Sequence, residues 1–392
     1  MENEQIKEIL IKEVKELEDY LIKTRRHIHM YPETAYEEEK TASFIESELQ
    51  KIGYETERTA GTGVITTIKG KEGKTIALRA DIDALNVTEE NEVPYKSKIP
   101  GKMHACGHDC HTACLLTAAK VLYKYKDRLP GTVKLIFQPA EEGGAGAQKI
   151  CQEGHLDDVD TVFGLHVWQG LEAGKIGLKK GGMMASADSF TISLKGLGGH
   201  AASPHLTIDP TAVLVDIYNA LQKIVSREID PLSKVVITSP NMQGSNAFNI
   251  IPEIAFLKGT VRTFDLEDRE FIVKRMQELV EGYSKAWRCE GSVTFDEPFY
   301  PPVINDDAIV DQLSKLLSEL GKVKMIKPTM GGEDFAFYLQ KTKGAFIVLG
   351  IQNEEKGITY EHHHPKFDVD EAILWKGAVI YTLLGFYSLF TE

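Results

Sequence analysis

The chain has 392 residues, of which 42% are hydrophobic and 26% are charged, and a formal net charge of -13 at pH 7. This is the composition of a globular protein, and the length exceeds that of one ordinary core, so two domains are expected. The acidic balance argues against nucleic acid as a partner, because phosphates demand a basic protein surface.

Neither end of the chain predicts an export signal or a membrane span. Residues 1–23 are charged and have a helical period, whereas a signal peptide has a basic start and an apolar run. The most apolar segment, GAVIYTLLGFYSLF at 377–390, is shorter than the roughly 20 residues that cross a bilayer and is interpreted as a buried helix. Five cysteines are too few and too sparse for a disulfide scaffold. We therefore expect a cytoplasmic protein without a membrane partner.

Helices and strands alternate in the first part of the chain. Helical patterns end near RRHIHMYPE (25–33) and recur over 37–53 and 111–127. Strand-like runs lie at 63–70, 75–82, 132–140 and 160–168. This alternation predicts a mixed, mostly parallel sheet that is covered by helices on both faces.

The order of elements changes at about residue 187. The next segments are strand, helix, strand, strand, helix and strand, at 189–196, 211–228, 234–243, 254–265, 269–287 and 291–297. That order is the ferredoxin-like arrangement. After 298 the first style returns, with a helix at 308–321, a strand at 344–352 and the final helix. We predict an α/β main domain formed by 1–186 and 298–392, with an α+β domain inserted at 187–297.

Metal-ligating side chains follow the predicted strands of the main domain. Ligands in α/β proteins gather at the carboxyl ends of the strands, where loops converge. The residues in such positions are Asp81, Asp83, the stretch MHACGHDCHTA (103–113), Glu141, Glu142, His166 and the run His362, His363 and His364. Each has an ordinary structural interpretation when taken alone, as a core histidine or a solvated acidic pair. Their coincidence at strand ends favours one shared site.

The stretch MHACGHDCHTA has several alternative interpretations. A zinc finger would need a second Cys/His pair within roughly 12–20 residues, and only an apolar helix follows. A redox pair would need Cys-x-x-Cys, which the spacing of Cys106 and Cys110 does not give. A nucleophilic Cys106 stays open, because nearby histidines stabilise a thiolate. A metal site completed by distant residues has more partners available.

Ten segments, taken together, resemble the aminoacylase/carboxypeptidase family of di-metal peptidases, in the branch of hippurate hydrolases and auxin-conjugate amidohydrolases. They occur in the family's order and span nearly the whole chain. The segments are RRHIHMYPE (25–33), RADIDAL (79–85), MHACGHDCHTA (103–113), FQPAEEGGAGA (137–147), GLHVW (164–168), GGHAASPH (198–205), NIIPE (249–253), GTVRTFD (259–265), GGEDF (331–335) and HHHPKFD (362–368). The resemblance implies a zinc-peptidase-like catalytic domain with an inserted lid that often dimerises.

The resemblance also implies a binuclear metal site and names its ligands. Cys106, His108, Glu142, His166 and His363 are the expected ligands of two divalent ions. Zinc is the expected metal, with manganese, cobalt and nickel as alternatives. Cys106 stands where much of the wider family has a bridging aspartate, so it is expected to bridge the two ions. His362 and His364 flank the last ligand and leave that assignment less firmly determined.

Catalytic and substrate-binding roles come from the same resemblance. Glu141 is expected to be the general base for a water activated by the metals. Asp83 is expected to orient a ligand histidine, and His200 to stabilise the tetrahedral oxyanion. The pair Asn249 and Arg262 is expected to hold the free carboxylate of the substrate, because an arginine fork meets a carboxylate through two hydrogen bonds.

The predicted function is therefore a metal-dependent amidohydrolase that cleaves N-acyl-L-amino acids or short peptides with a free C-terminal carboxylate. The alternatives within the enzymes are an N-acetyl-diaminopimelate deacetylase and a zinc carboxypeptidase. A cysteine hydrolase and a non-catalytic metal- or ligand-binding protein of the same fold are alternatives from other classes. A homodimer or a higher homo-oligomer is expected, because His200 lies in the inserted domain and could need a partner subunit to reach the metals.

Overall fold

A computed structural model describes residues 2–390. The chain divides into two compact units. The first comprises the chain up to Gly181, Ile304–Lys327 and the residues from Asp334 onward. The second comprises Gly182–Val303 and Pro328–Glu333.

Of the helices, the longer ones begin and end close to the positions that the apolar periods predict, and two short ones have no predicted counterpart. In chain order they are α1 (Glu2–Lys15), α2 (Glu18–Met30), α3 (Glu39–Ile52), α4 (His108–Lys124), α5 (Gly146–Gln152), α6 (Pro210–Lys223), α7 (Leu266–Trp287), α8 (Asp307–Leu317), α9 (Ala336–Lys341) and α10 (Leu374–Gly385). Helix α3 ends at Gly53, whose φ of 113° is the left-handed conformation that glycine adopts at a helix end. Helices α6 and α7 begin after Asp209 and Asp265, whose carboxylates accept hydrogen bonds from the first-turn amides.

The strands include short ones at the sheet margins that the apolar runs do not predict. In chain order they are β1 (Glu57–Thr59), β2 (Gly63–Lys69), β3 (Thr75–Asp81), β4 (Thr132–Gln138), β5 (Thr161–Glu172), β6 (Ile176–Leu178), β7 (Gly181–Met184), β8 (Asp188–Lys195), β9 (Gly199–His200), β10 (Val235–Gln243), β11 (Ile250–Ile251), β12 (Ile254–Thr263), β13 (Glu290–Phe295), β14 (Val303–Asn305), β15 (Val323–Met325) and β16 (Lys343–Gln352).

An eight-stranded sheet in the order β1-β2-β4-β3-β5-β16-β6-β15 organises the first unit. The central neighbours β4, β3, β5 and β16 run parallel, while β1, β2 and the β16–β6 pair run antiparallel. Alternate residues of the central strands, such as Leu78, Leu165 and Ile347, join the buried core with side chains of α4 and α10. The mixed, mostly parallel sheet of the α/β prediction is confirmed.

The pairing of β3 with β5 ends early. The last paired residues are Arg79 and Gly164, although β5 continues to Glu172. Beyond Gly164 the β3 side of β5 therefore faces loops and the start of α4. This divergence opens the space in which the candidate site lies.

The second unit contains a four-stranded antiparallel sheet in the order β10-β12-β8-β13. The chain runs through it as strand, helix, strand, strand, helix and strand, which is the ferredoxin-like order. Helices α6 and α7 cover one face and bury their apolar stripes on it, with Leu214, Ile217 and Met276 at the centre. Separately, among residues 2–390 there is no helix with the length and apolar character needed to cross a membrane.

Candidate metal centre

Cys106 and His108 flank a glycine at the start of α4. Gly107 has a φ of 88°, a left-handed conformation that few other residues adopt. A Cβ atom there would lie 2.3 Å from Cγ2 of Val167, so glycine is also required by close packing on β5. The turn brings the two side chains into one site and presses it against the strand that carries His166.

Asp83 fixes the orientation of His108. The Nδ1 atom of His108 lies 2.9 Å from the Asp83 carbonyl oxygen and 3.2 Å from its carboxylate, so Nδ1 carries the proton and donates it. The same carboxylate accepts a hydrogen bond of 2.9 Å from the amide of Glu142. Asp83 thus joins two of the predicted ligands and leaves Nε2 of His108 available for another partner.

Glu141 and Glu142 lie in a tight turn after β4. Ala140 and Ala145 have positive φ angles of 55° and 50°, which is uncommon for residues with a side chain. Glu38 supports this turn. Its buried carboxylate accepts hydrogen bonds from the Ala140 amide at 2.9 Å and from the Thr62 hydroxyl at 2.6 Å. Local strain that is held by buried partners is typical of functional sites.

His166 lies inside β5 and not at its end, because the strand is longer than the sequence predicts. It nevertheless borders the open space, since β3 has already diverged at Gly164. Its Nδ1 donates to the carbonyl oxygen of Val167 at 2.5 Å. Its Nε2 lies 3.5 Å from the sulfur of Cys106. The predicted ligands Cys106 and His166 are therefore adjacent.

The geometry distinguishes the three consecutive histidines. Nε2 of His363 lies 3.2 Å from Oε1 of Glu142, and His363 has a left-handed φ of 67° that directs the chain there. In His362, Nε2 accepts the amide of Gln169 at 3.2 Å. In His364, Nδ1 accepts the amide of Lys366 at 3.0 Å, and the ring stacks on Tyr360. Of the three, His363 is the one grouped with other candidate ligands.

The candidate ligands form two groups that share one sulfur. The ligand atoms of Cys106, His108 and His166 lie within 4.8 Å of one another, and so do those of Cys106, Glu142 and His363. Glu141 adjoins both groups, because its carboxylate lies within 4.8 Å of the ligand atoms of His108 and Glu142. The sulfur, nitrogen and carboxylate donors suit a transition metal such as zinc.

Two buried polar atoms test whether a metal fits this cluster. Nε2 of His108 and Oε1 of Glu142 have no hydrogen-bond partner in the described part of the chain. The nearby Nε2 of His363 lies close to Oε1 of Glu142 without the alignment of a hydrogen bond. Buried polar atoms are rarely left unpaired, and both atoms belong to the two groups just described. The donor set therefore fits divalent metal ions.

The electrostatics of the cluster agree with metal binding. Burial, together with the neighbouring His111 and His362, lowers the pKa of His166 well below its ordinary value, so His166 is neutral as a ligand must be. Burial opposes the protonation of His108, but the carboxylates of Asp81 and Asp83 overcome it and raise the pKa to about 10. A cation bound at Nε2 would therefore displace a proton from His108, as metal binding to a protonated histidine requires.

A third group of metal-ligand type, formed by Asp81, His108 and His111, has a different character. Both nitrogens of His111 are occupied, by Asp81 at 2.6 Å and by the amide of Val167 at 2.8 Å. Asp81 is also paired with the buried Arg79 at 2.7 Å. Asp81 and His111 thus have their partners within a hydrogen-bond network, and of this group only Nε2 of His108 faces the candidate metal site.

His200, Asn249 and Arg262 lie in the second unit. His200 pairs with Ile250 across β9 and β11, which places it next to Asn249. Its Nδ1 accepts the amide of Ala202 at 3.0 Å, so the ring proton resides on the exposed Nε2. Arg262 is half-buried, and its backbone pairs with Val236 of β10, but its guanidinium makes no hydrogen bond or ion pair with a described residue.

The neighbouring Asp188 does not neutralise Arg262. Both oxygens of Asp188 are held by Arg269, through contacts of 2.7, 3.0 and 3.1 Å. Burial lowers the pKa of Arg262, with Asp188 acting in the opposite direction. Among the described residues the Arg262 guanidinium therefore has no ion-pair partner of its own, and guanidinium groups pair readily with anions such as carboxylates.

Sequence reasoning missed the residues that support the ligand loops. Glu38 belongs to an acidic run, EEEK, and nothing in its spacing predicts that it is buried. Asp109 lies at the start of α4 within MHACGHDCHTA, and its partners are distant in sequence. It accepts from Arg25 at 2.8 Å and lies 2.7 Å from Nδ1 of His29, which ties α2 to the ligand loop.

Known proteins resemble this chain over nearly its full length. It is 41% identical over 383 residues to thermostable carboxypeptidase 1 of Saccharolobus solfataricus, covering 96% of this chain and 98% of that protein. It is 42% identical over 366 residues to the N-acetyl-L-cysteine deacetylase of Bacillus subtilis, covering 92% and 86%.

A solved structure shares the fold. The crystal structure of the Bacillus subtilis YXEP protein, described as a dinuclear metal binding peptidase from the M20 family, matches with a TM-score of 0.84 and 35% identity, covering 96% of this chain and 99% of that one. The profile of Peptidase family M20/M25/M40 matches residues 77–385. The predicted resemblance and the predicted class of hydrolase are confirmed: the chain belongs to Peptidase family M20/M25/M40.

Proposed function

We propose that the protein is a di-metal amidohydrolase that cleaves the amide bond of N-acyl-L-amino acids or of short peptides with a free C-terminal carboxylate. The observation that carries the proposal is the convergence of five candidate ligands, with Glu141 beside them, around two buried atoms that have no hydrogen-bond partner among the described residues. The candidate ligands are Cys106, His108, Glu142, His166 and His363. The relatives named as a carboxypeptidase and a deacetylase support both substrate types.

The ligands divide between two ions in this proposal. Cys106, His108 and His166 would hold one ion, and Cys106, Glu142 and His363 the other, with the shared sulfur as the bridge. Zinc is the proposed metal, because a thiolate with imidazole nitrogens is a typical zinc ligand set, and manganese, cobalt and nickel remain alternatives. Two bound ions would polarise the scissile carbonyl and lower the pKa of a water molecule.

The side chains move the protons and position the reacting groups. Glu141 accepts a proton from the attacking water on its carboxylate and delivers it to the nitrogen of the departing amine. Asp83 holds His108 in the required tautomer through Nδ1. His200 donates from Nε2 to the oxygen that becomes negatively charged, a role that its observed tautomer permits. Asn249 and Arg262 hold the carboxylate of the substrate.

His363→Ala tests the choice among the three histidines. We expect calorimetric titration with Zn²⁺ to show one ion bound more than about 100-fold more weakly, because losing a ligand exceeds the roughly 10–100-fold cost of losing an outer partner. The matched control is His364→Ala, whose side chain bonds locally to Lys366. If zinc affinity falls in His364→Ala and is unchanged in His363→Ala, His363 is not the ligand and another histidine of the run must be.

Glu141→Gln tests the general base. We expect two ions to remain bound while kcat on N-acetyl-methionine falls by about 100-fold to 10,000-fold, the usual contribution of a general acid or base. The adjacent Glu142→Gln provides the contrast, since it is expected to lose metal. Full turnover by Glu141→Gln, or loss of its metal, would remove Glu141 from this role.

Arg262→Gln tests recognition of the substrate carboxylate. We expect kcat/KM for N-acetyl-methionine to fall about ten-fold to 100-fold, matching the roughly 1.5–3 kcal/mol of hydrogen bonds to charged groups. The loss should be much smaller for N-acetyl-methioninamide, which lacks the carboxylate. Arg275→Gln, which breaks an ion pair with Glu228 at 2.6 Å, is the control. Equal losses on both substrates would contradict the assignment.

A homodimer formed through the second unit is part of the proposal. Apolar side chains are exposed around His200, with Phe248 at 101%, Leu206 at 68% and Ile250 at 54% of full exposure. Large exposed apolar patches mark protein interfaces.

The cytoplasm is the proposed location. The five cysteines are free and form no disulfide, which suits a reducing compartment.

Light scattering tests the dimer. We expect a mass of twice 43.7 kDa, and a monomer when Phe248 and Ile250 are both changed to Asp. The monomer should keep its metal and lose turnover if His200 acts in the site of the other subunit. A fully active monomer would contradict the dimeric site.

A further inference from the structure

His111 has a role that the ligand set does not include. It lies in the first turn of α4 and is fully buried. Its Nε2 is 2.8 Å from the backbone nitrogen of Val167, and an amide N–H can only donate, so Nε2 accepts. The ring proton must then reside on Nδ1, which donates to Asp81 at 2.6 Å. His111 is a neutral imidazole with both nitrogens engaged.

Asp81 anchors this ring. Its second carboxylate oxygen lies 2.7 Å from Nη1 of Arg79, which is itself fully buried. Its carbonyl oxygen accepts a hydrogen bond of 2.9 Å from the hydroxyl of Thr112, the residue after His111. The anchor therefore holds both the imidazole and the helix turn that carries it.

The position of Val167 explains why a side chain is needed there. Strand β3 pairs with β5 only as far as Gly164, so the next part of β5 has no strand on that side. A buried backbone N–H without a partner is costly and rare. His111 replaces the missing strand, because its Nε2 occupies the place of a carbonyl acceptor.

Val167 in turn sets the distance between two candidate ligands. Its carbonyl oxygen accepts a hydrogen bond from Nδ1 of His166. This bond directs Nε2 of His166 toward the sulfur of Cys106, and these two atoms lie 3.5 Å apart. Its side chain packs against Gly107, between Cys106 and His108, so tightly that a Cβ atom there would lie 2.3 Å away. A shift of Val167 would move His166 relative to the other two ligands.

We propose that His111 is a positioning residue that holds β5 through the Val167 amide and thereby sets the affinity of the ion bound by Cys106, His108 and His166. The inference rests on the ligand assignment in the proposed function. A series of contacts from Arg79 through Asp81 and His111 to Val167 links the buried ionic network of the sheet to His166. None of these four residues belongs to the proposed ligand set.

Two near-isosteric variants separate this role from simple filling of the core. The amide of Gln lies where Nε2 of histidine lies, so His111→Gln keeps an acceptor for Val167. The amide of Asn lies where Nδ1 lies, so His111→Asn keeps the contact with Asp81 and loses Val167. We expect His111→Asn to bind one ion about 10–100-fold more weakly, the usual cost of losing an outer partner, and His111→Gln to bind both ions nearly as the wild type does.

The measurement is titration of metal-free protein with Co²⁺, followed by calorimetry and by the visible absorption of the cobalt–thiolate bond. Backbone amide exchange of Val167 in the wild type provides a second test that needs no variant. We expect strong protection of that amide without metal. Rapid exchange of the Val167 amide, or equal metal affinities in folded His111→Asn and His111→Gln, would overturn the proposal.

His166→Ala distinguishes failure of this inference from failure of the proposed function. If His166→Ala leaves Co²⁺ binding unchanged, the ligand assignment itself is wrong. If His166→Ala weakens one ion while His111→Asn does not, the ligand assignment stands and only the positioning role is refuted.

Discussion

The arrangement of the site depends on a single buried arginine. Arg79 lies in β3 with none of its surface exposed, and its guanidinium is held by Asp81, Gln138 and Asp334 at 2.7–2.9 Å. A buried charge is tolerated only when it is paired and hydrogen-bonded, so these partners cannot move independently. They come from β3, β4 and the loop before α9. One ionic network thus fixes the segments from which the ligand loops start.

Cys106 lies at the point where the two groups of candidate ligands meet. Its sulfur is common to the two groups of candidate ligands. His108 follows it in the same turn, while the candidate ligands Glu142, His166 and His363 come from separate strands and loops. Ordering these loops costs conformational entropy, and hydrogen bonds within the protein offset that cost. The residues that make these bonds are Glu38, Asp83, Asp109 and His111. Such preorganisation leaves few rearrangements for metal binding to drive.

Sequence patterns predicted much of the fold because long elements have clear apolar periods. The core strands, the helix that begins within MHACGHDCHTA and the C-terminal helix all lie close to their predicted positions. Short strands such as β6 and β15 were not predicted, since a run of three residues has no detectable period. The predicted end of β5 was wrong. The length of β5 beyond His166 depends on the neighbouring strand β16, which continues to pair with β5 after β3 has stopped.

The candidate ligands were recognisable as residue types, but the contacts that orient them were not. Glu38 and His111 are polar residues that are buried by tertiary packing, so their burial cannot be predicted from local sequence spacing. The resemblance selected His363 among three adjacent histidines, but the spacing of the run did not show that a left-handed turn at His363 brings its ring beside Glu142. Sequence thus predicts what chemistry is available, and packing decides which atoms perform it.

Anomalous diffraction from crystals of the zinc-loaded protein tests the proposed binuclear site. We expect two zinc peaks per chain that share the sulfur of Cys106, each at roughly 2.3 Å, the usual Zn–S distance. One peak should also contact His108 and His166, and the other Glu142 and His363. A single peak, or two peaks with neither bound to Cys106, would refute a site bridged by this cysteine.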